Sequence, residues 1–435
     1  MKKKPRNKNK MESKTYSAIG ETLYSETLPN GLRLRIVPKP GFRSRYAVFA
    51  ANYGGAHRRF FLDGQPMETP AGVAHYLEHK MFDLPGGDNA LDVLSANGAD
   101  PNAFTASGIT CYYFQCTEHF EENLRLLLHF VSTPYFTAET VQKEQGIIAQ
   151  EIQMGEDSPG SAVYHSLLRQ LYAAHPIRDK VVGTLESIKE ITAETLYACH
   201  KVFYAPGNMC LCVEGDVDPE EIARIARETL GEGGESLPRA DFGPEESPLP
   251  VEKLHRRQMD VSAPQFLIGA KLSPPGSGEE ALRERLVSSL ALRLLVGASS
   301  DFYNRLYASG LLNRDFDAEV DFSAGTGTLL IGGESPDPEA VLAALIEELR
   351  RIDGQGLDPQ RFERAKRASL GARLRGLEDF ESVCIALAES LFEGCCALDA
   401  TELLQSVTKA ECEDFLRKEL REEKLALSII EPRRA

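Results

Sequence analysis

Apolar and polar positions alternate in two early stretches, GLRLRIVPK (31–39) and RYAVFAANYG (45–54), the period-two pattern of half-buried strands. The period then lengthens. CYYFQCTEHFEENLRLLLHFVSTPYFTAETVQKEQGIIAQE (111–151) predicts a strand, a loop, an amphipathic helix, a short link and a second helix. An apolar strand, MCLCVEGDVD (209–218), follows a further helix. Beyond residue 250 the same order returns. PQFLIGAKL (264–272) reads as a strand, and GTLLIGGESPDPEAVLAALIEELRRIDGQGLDPQRFERAKRASLGA (327–372) repeats the strand and helix pair with matching lengths. The link LDPQR falls where FTAET fell, and KLALSIIEP (424–432) is the closing apolar strand.

A repeat of this length implies two domains of one design. The expected fold is α+β, with two homologous domains, each a mainly antiparallel β-sheet with helices packed on one face, the two forming a clamshell half. LGEGGESLPRADFGPEESPLP (230–250) concentrates Gly, Pro, Ser and acidic residues, the composition of an exposed connector. The expected division is a flexible basic tail at 1–16, an N-terminal domain at 17–229, a linker at 230–250 and a C-terminal domain at 251–435.

Composition narrows the partners. Of 435 residues, 42% are hydrophobic and 26% charged, and no apolar run approaches the roughly 20 residues of a membrane span. The basic start, MKKKPRNKNKMESK, is followed by TYSAIGETLYSE rather than by the apolar core of a signal peptide. A net charge of −16, with the tail as the one basic cluster, argues against nucleic acid and leans toward cationic partners or peptides. Nine cysteines form no framework spacing, and Cys210 and Cys212 alternate along a strand as buried thiols would, so a reducing cytoplasm is expected.

AGVAHYLEHKMF (71–82) carries the candidate chemistry. Offsets of three and four place His75, Glu78 and His79 on one helical face. Two imidazoles at that spacing can reach one zinc ion, with the glutamate beside an open coordination position as general base. A chance ion pair on a helix surface is the plainer reading of the same residues. A third ligand must come from elsewhere, and KEQGIIAQEIQMGED (143–157) offers Glu144 and Glu151, seven apart and thus also on one face. Other signals carry less. The glycines of SAGTGTLLIGG (323–333) read as a turn and strand edge, and Cys199 beside His200 as structural residues. His119, His129, His165 and His175 receive no chemical role, and Cys395 and Cys396 read as packing residues.

HYLEH, KEQGIIAQEI, GADPNAFTASG (98–108) and FYAPGNMCLCVEGDVD (203–218) together resemble the pitrilysin/insulinase family of inverted zinc metallopeptidases, which share HxxEH. ETLPNGL, AGVAHYLEHKMF and HPIRDKVVGTLESI (175–188) are most similar to the bacterial YmfH-like members, and the resemblance spans about residues 20 to 435. It implies one Zn2+ per chain on His75, His79 and Glu151 in the N-terminal domain, with Glu78 as general base and Glu144 supporting the ligands. It also implies that Asn102, Ala103, Phe104 and Thr105 form the edge strand on which a substrate peptide pairs through its main chain. Set against the second repeat, Glu144 falls on Ala365 and Glu151 on Ala372, and no HxxEH follows the linker, so the second half holds no metal.

The implied activity is that of a zinc metalloendopeptidase on short or unfolded peptides, by attack of zinc-activated water with Glu78 shuttling the proton. In one respect the chain departs from the family. Where members carry an arginine and a tyrosine that touch the substrate carbonyl, FYNRLYASGLLNRDF (302–316) has Tyr307 and Asn313, and Arg305 lies two positions off the arginine's place. The expected remedy is a partner: a homodimer, or a heterodimer with a related, non-catalytic homologue. The alternatives are a non-catalytic processing or assembly subunit that binds peptides in a heterodimeric chamber, and a structural zinc, which would need a fourth ligand.

Overall fold

The computed structural model describes residues 11–62, 64–231, 233 and 238–433. The first ten residues of the expected tail, and 232 and 234–237 of the expected linker, lie outside them. Its strands are β1 (Glu12–Tyr16), β2 (Glu21–Thr27), β3 (Arg33–Pro38), β4 (Arg45–Ala51), β5 (Arg59–Leu62), β6 (Gln65–Glu68), β7 (Ala99–Thr105), β8 (Thr110–Cys116), β9 (Met209–Gly215), β10 (Leu254–Met259), β11 (Gln265–Leu272), β12 (Asp317–Ser323), β13 (Thr326–Glu334) and β14 (Ala426–Pro432). Its α-helices are α1 (Val73–Lys80), α2 (Ala90–Ala96), α3 (Phe120–Ser132), α4 (Ala138–Asp157), α5 (Pro159–Leu171), α6 (Ala193–Phe203), α7 (Pro219–Thr229), α8 (Glu279–Leu295), α9 (Asp301–Ala308), α10 (Pro338–Gln355), α11 (Pro359–Gly376), α12 (Phe380–Phe392), α13 (Ala400–Ser406) and α14 (Lys409–Glu419).

The strands form a seven-stranded sheet, β1-β2-β3-β9-β4-β8-β7, a five-stranded sheet, β10-β14-β11-β13-β12, and a β5-β6 hairpin. The repeat is visible in the orders: β3-β9-β4-β8-β7 corresponds strand for strand to β10-β14-β11-β13-β12. Each sheet is antiparallel except for one parallel pair in the corresponding place, β3 with β9 and β10 with β14. The fold is α+β in two domains. β9 is buried along its whole length and β4 from Tyr46 onward, which is why these central strands read as nearly unbroken apolar runs.

The two units are not contiguous in sequence. One takes in residues to Gln150, Lys180–Asp241 and Arg375–Leu398; the other takes in Glu151–Asp179, Phe242–Leu374 and the chain from Asp399. The expected blocks 17–229 and 251–435 are therefore interleaved, each unit drawing one helix from the other half of the chain. In the first unit α3 and α7 cover one sheet face, and α12 covers the other, where Phe380, Val383, Cys384, Leu387 and Leu391 meet Val48, Ala50, Cys111, Cys210 and Cys212. In the second, α5 brings Leu167, Leu168, Leu171 and Tyr172 against Leu330 and Ala426. A sheet with two apolar faces needs cover on both. At about 1.5–3 kcal/mol per buried apolar side chain, the five α12 residues contribute on the order of 10 kcal/mol of gross hydrophobic energy.

Two further expectations change. Residues 12–16, assigned to the flexible tail, form β1 on the edge of the seven-stranded sheet. Four of the five side chains are exposed, so no alternation marks the strand; buried Tyr16 anchors it through an O–H to Cys396 Sγ contact of 3.4 Å. The described part of the connector, 238–250, holds no helix or strand of its own, yet in the second unit it is strapped down rather than loose. Phe242 stacks on His175 with centroids 5.1 Å apart, and Glu246 accepts from the backbone N–H groups of Ala173, Ala174 and His175 at 3.0, 2.7 and 2.9 Å. Against the penalty of burial, those donors and Lys271 hold its carboxyl down at about 2. SAGTGTLLIGG is the β12–β13 hairpin, turning through Ala324 (φ 48°) and Gly325 (φ 74°).

Candidate metal centre

The helix α1 begins abruptly. Gly72 precedes it at φ 96°, and a Cβ there would lie 2.8 Å from the Val182 carbonyl oxygen. Gly183, at φ 78°, approaches the Ala71 oxygen so closely that a Cβ would stand 2.5 Å from it, and Ser187 Oγ donates to that oxygen at 2.7 Å. HPIRDKVVGTLESI thus acts as a backbone buttress fixing the start of α1. At mid-helix, buried Tyr76 donates its hydroxyl to the Val141 carbonyl, tying α1 to α4.

The tie brings the predicted residues together. The rings of His75 and His79 are 4.6 Å apart, and the ligand atoms of His75, His79 and Glu151 all lie within 4.8 Å of one another. Among the described residues this is the one group of three or more His, Cys, Asp or Glu side chains close enough to share an ion, and no fourth joins it. Burial, with His79 nearby, pushes His75 down to about 4, so its imidazole is neutral near pH 7 as metal ligation requires. Two imidazoles and a carboxylate with one position open match the donor set of catalytic zinc, whereas a structural site closes with four.

Glu144 stands outside this group. Its Oε1 lies 3.0 Å from His79 Nδ1, a contact that leaves Nε2 as the ring nitrogen available to an ion. Burial opposes its ionisation, but the hydrogen bond and charge of His79, with Lys80 and Lys143, hold it below the usual carboxylate range. Glu78, 7% exposed, accepts from Thr105 Oγ1 at 2.7 Å. Thr105 is in turn 3.4 Å from Thr110 Oγ1, which donates to the Tyr53 carbonyl at 2.8 Å. Two buried phenols, Tyr112 and Tyr204, hydrogen-bonded to each other at 2.8 Å, stand near Glu78; burial first, then Tyr204 and that carboxylate, hold the Tyr112 hydroxyl well above the usual phenol range.

β7 is the last strand of its sheet, and its outer edge pairs with no strand among the described residues. Its register sorts the four predicted edge residues. Ala103 and Thr105 lie opposite Tyr112 and Thr110, whereas Asn102 and Phe104 face the other side, where Phe104 meets Tyr113 edge-on at 6.3 Å. Only Thr105 reaches the carboxylates, a contact sequence reasoning missed because the register shows only in the fold. Lys80 was missed too: a lysine in a helix reads as a solvated charge, yet its side chain is buried.

The remaining candidates are structural. Cys199 and His200 are both buried; burial lifts the thiol to about 12 despite a Tyr53 hydrogen bond, and His200 Nε2 sits 3.0 Å from the Val131 oxygen. His175 Nδ1 accepts from the Ile177 N–H at 3.1 Å. In the second unit Tyr307 is 44% exposed and stacks on Tyr303, while the Asn313 amide contacts Asp315 and Glu334.

Two family models match the chain: Insulinase (Peptidase family M16) over residues 63–185, and Peptidase M16 inactive domain over residues 190–369. The chain belongs to the M16 peptidase family. Its relatives include the zinc protease YmfH of Bacillus subtilis (strain 168), named as uncharacterized, which is 35% identical over 96% of this chain and 98% of that one. An M16-like peptidase from Alicyclobacillus acidocaldarius superposes with a TM-score of 0.90 at 33% identity, covering 97% of this chain and 99% of that one. Pitrilysin shares the fold at a TM-score of 0.78 and 17% identity, with 98% of this chain covering 47% of its length. No helix among the described residues is long and apolar enough to cross a membrane.

Proposed function

We propose that the chain is a zinc-dependent metalloendopeptidase acting on short or unfolded peptides. The observation that carries this reading is the convergence of His75, His79 and Glu151 to within 4.8 Å, with Glu78 hydrogen-bonded beside them on the same helix face. These three residues would hold one zinc ion, which when bound supplies a Lewis acid that brings the pKa of water to about 7. The protein's own residues do the rest. The open edge of β7 binds the peptide main chain, with Asn102, Ala103, Phe104 and Thr105 as the pairing segment. Glu78 takes a proton from the attacking water and returns it to the leaving amine, Thr105 fixes its carboxylate, and Glu144 fixes His79.

A second reading is a non-catalytic processing or assembly subunit that keeps the peptide-binding edge. It is favoured by Tyr307 at the place of the family's arginine and Asn313 near that of its tyrosine, and by the inactive-domain match over 190–369. Under the first reading those groups come from a second copy or a related homologue; pitrilysin, with twice the length for one copy of this fold, supports such pairing. Seven buried thiols support a reducing compartment, and we place the protein in the cytoplasm. The test is zinc stoichiometry together with cleavage of a peptide library by the purified chain, alone and mixed with an M16 homologue from the same organism. One zinc per chain with cleavage, alone or in the mixture, upholds the peptidase. Zinc with no cleavage in either leaves the subunit reading.

A further inference from the structure

Lys80 ends α1 one residue after His79, and only 2% of its side chain is exposed. Its Nζ donates to Asp83 Oδ2 and lies 3.9 Å from Glu144 Oε2, the oxygen opposite the one that faces His79 Nδ1. Asp83, Lys80, Glu144 and His79 thus form a chain of four charged or polar side chains ending on a candidate metal ligand.

Fold stability does not explain the lysine. Taking an ammonium out of water is costly, and a buried ion pair seldom gives more stability than well-packed apolar groups in its place. Methionine has nearly the same length and would fill this buried position without that cost. A methionine would not, however, hold a carboxylate. With Oε2 drawn toward Lys80, Glu144 keeps Oε1 on His79 Nδ1, and the imidazole is fixed in rotation and tautomer. Asp83 performs the same service for Lys80: its hydrogen bond keeps the ammonium at the bend after α1, within reach of Glu144.

We propose that Lys80, held by Asp83, is a positioning residue of the metal centre, fixing Glu144 so that His79 presents Nε2 to the ion. This rests on the zinc reading above, and Lys80 acts through Glu144 and His79 rather than on metal or substrate. The test compares the wild type with K80M and with K80M/D83N, which removes both charges of the pair so that the Asp83 carboxylate is not left without its ammonium. Zinc affinity is read by chelator competition, ligand geometry by the visible spectrum of the cobalt(II) form, and folding by thermal unfolding of the metal-free protein. The double variant is expected to bind zinc about 10–100-fold more weakly with an altered cobalt spectrum, while its metal-free unfolding midpoint is unchanged or higher. In an E144A background the same pair of changes is expected to add nothing further. Zinc affinity within about threefold of wild type and an unchanged cobalt spectrum overturn the proposal, as does a full additional loss in the E144A background. A wild type that takes up no zinc overturns the metal reading itself and this proposal with it.

Discussion

Thr105→Val removes the hydrogen bond to Glu78, together with the longer 3.4 Å contact from Thr110 Oγ1. Thr105 Oγ1 lies 2.7 Å from Glu78 Oε2, a short contact to a carboxylate of which 7% is exposed, so water does not replace the donor. Valine keeps the side chain's shape, and Thr110 retains its own bond to the Tyr53 carbonyl at 2.8 Å. A hydrogen bond to a charged group contributes about 1.5–3 kcal/mol, which at about 1.4 kcal/mol per decade predicts a loss of roughly 10–150-fold in turnover. The loss should fall on kcat rather than KM, because Glu78 acts on the proton in the transition state while the β7 main chain still pairs with the peptide. Steady-state cleavage of an internally quenched peptide, with zinc content measured on the same samples, gives both constants; Thr105→Ser should restore most of kcat. A kcat for Thr105→Val within about twofold of wild type at full zinc occupancy would refute the role given to this contact.

Three further outcomes follow from the packing. Glu214 is fully buried on β9, and burial lifts its carboxyl from 4.5 to about 7 even with Lys39 Nζ 3.1 Å away, so the native state binds the extra proton and stability falls as pH rises from about 4.5 to about 7. Glu214→Gln should abolish that fall and exceed the wild type by as much as ~3 kcal/mol at pH 8 in urea unfolding; an unchanged pH slope would contradict it. Leu387→Ala, at a site 1% exposed on α12, should cost about 2–5 kcal/mol and raise hydrogen exchange in β4 and β9, strands distant from it in sequence, so unchanged exchange there argues against the interleaved packing. Gly183→Ala forces a Cβ to 2.5 Å from the Ala71 oxygen at φ 78°; it should cost about 1–3 kcal/mol and weaken zinc binding by moving the start of α1, an effect that calorimetric zinc titration would detect or exclude.

Sequence patterning gave the doubled α+β design because both sheets rest on short-range signals: period-two strands, amphipathic helices and a matching link. Helical spacing likewise put His75, Glu78 and His79 on one face. It also put Glu144 and Glu151 on one face, and spacing alone could not separate them; in the fold Glu151 lies near both histidines, whereas Glu144 contacts His79 Nδ1. What escaped was set by long-range contact. Nothing in FESVCIALAESLF (380–392) says which sheet α12 covers, although its apolar residues extend nearly all the way round, as in a helix with little exposed face. β1 lacked alternation because one buried tyrosine and a hydrogen-bonded ladder suffice to hold an edge. Lys80 and Thr105 have ordinary surface chemistry, and their partners, Glu144 and Glu78, lie 64 and 27 positions away.

Glu78→Gln is nearly isosteric, still accepts from Thr105 and leaves the three candidate ligands untouched, but it cannot take a proton. Peptide hydrolysis by the zinc-loaded variant, in whichever assembly makes the wild type active, should fall by about 100-fold or more at unchanged zinc content. Turnover equal to wild type in that measurement would contradict Glu78 as the base and the hydrolytic mechanism built on it.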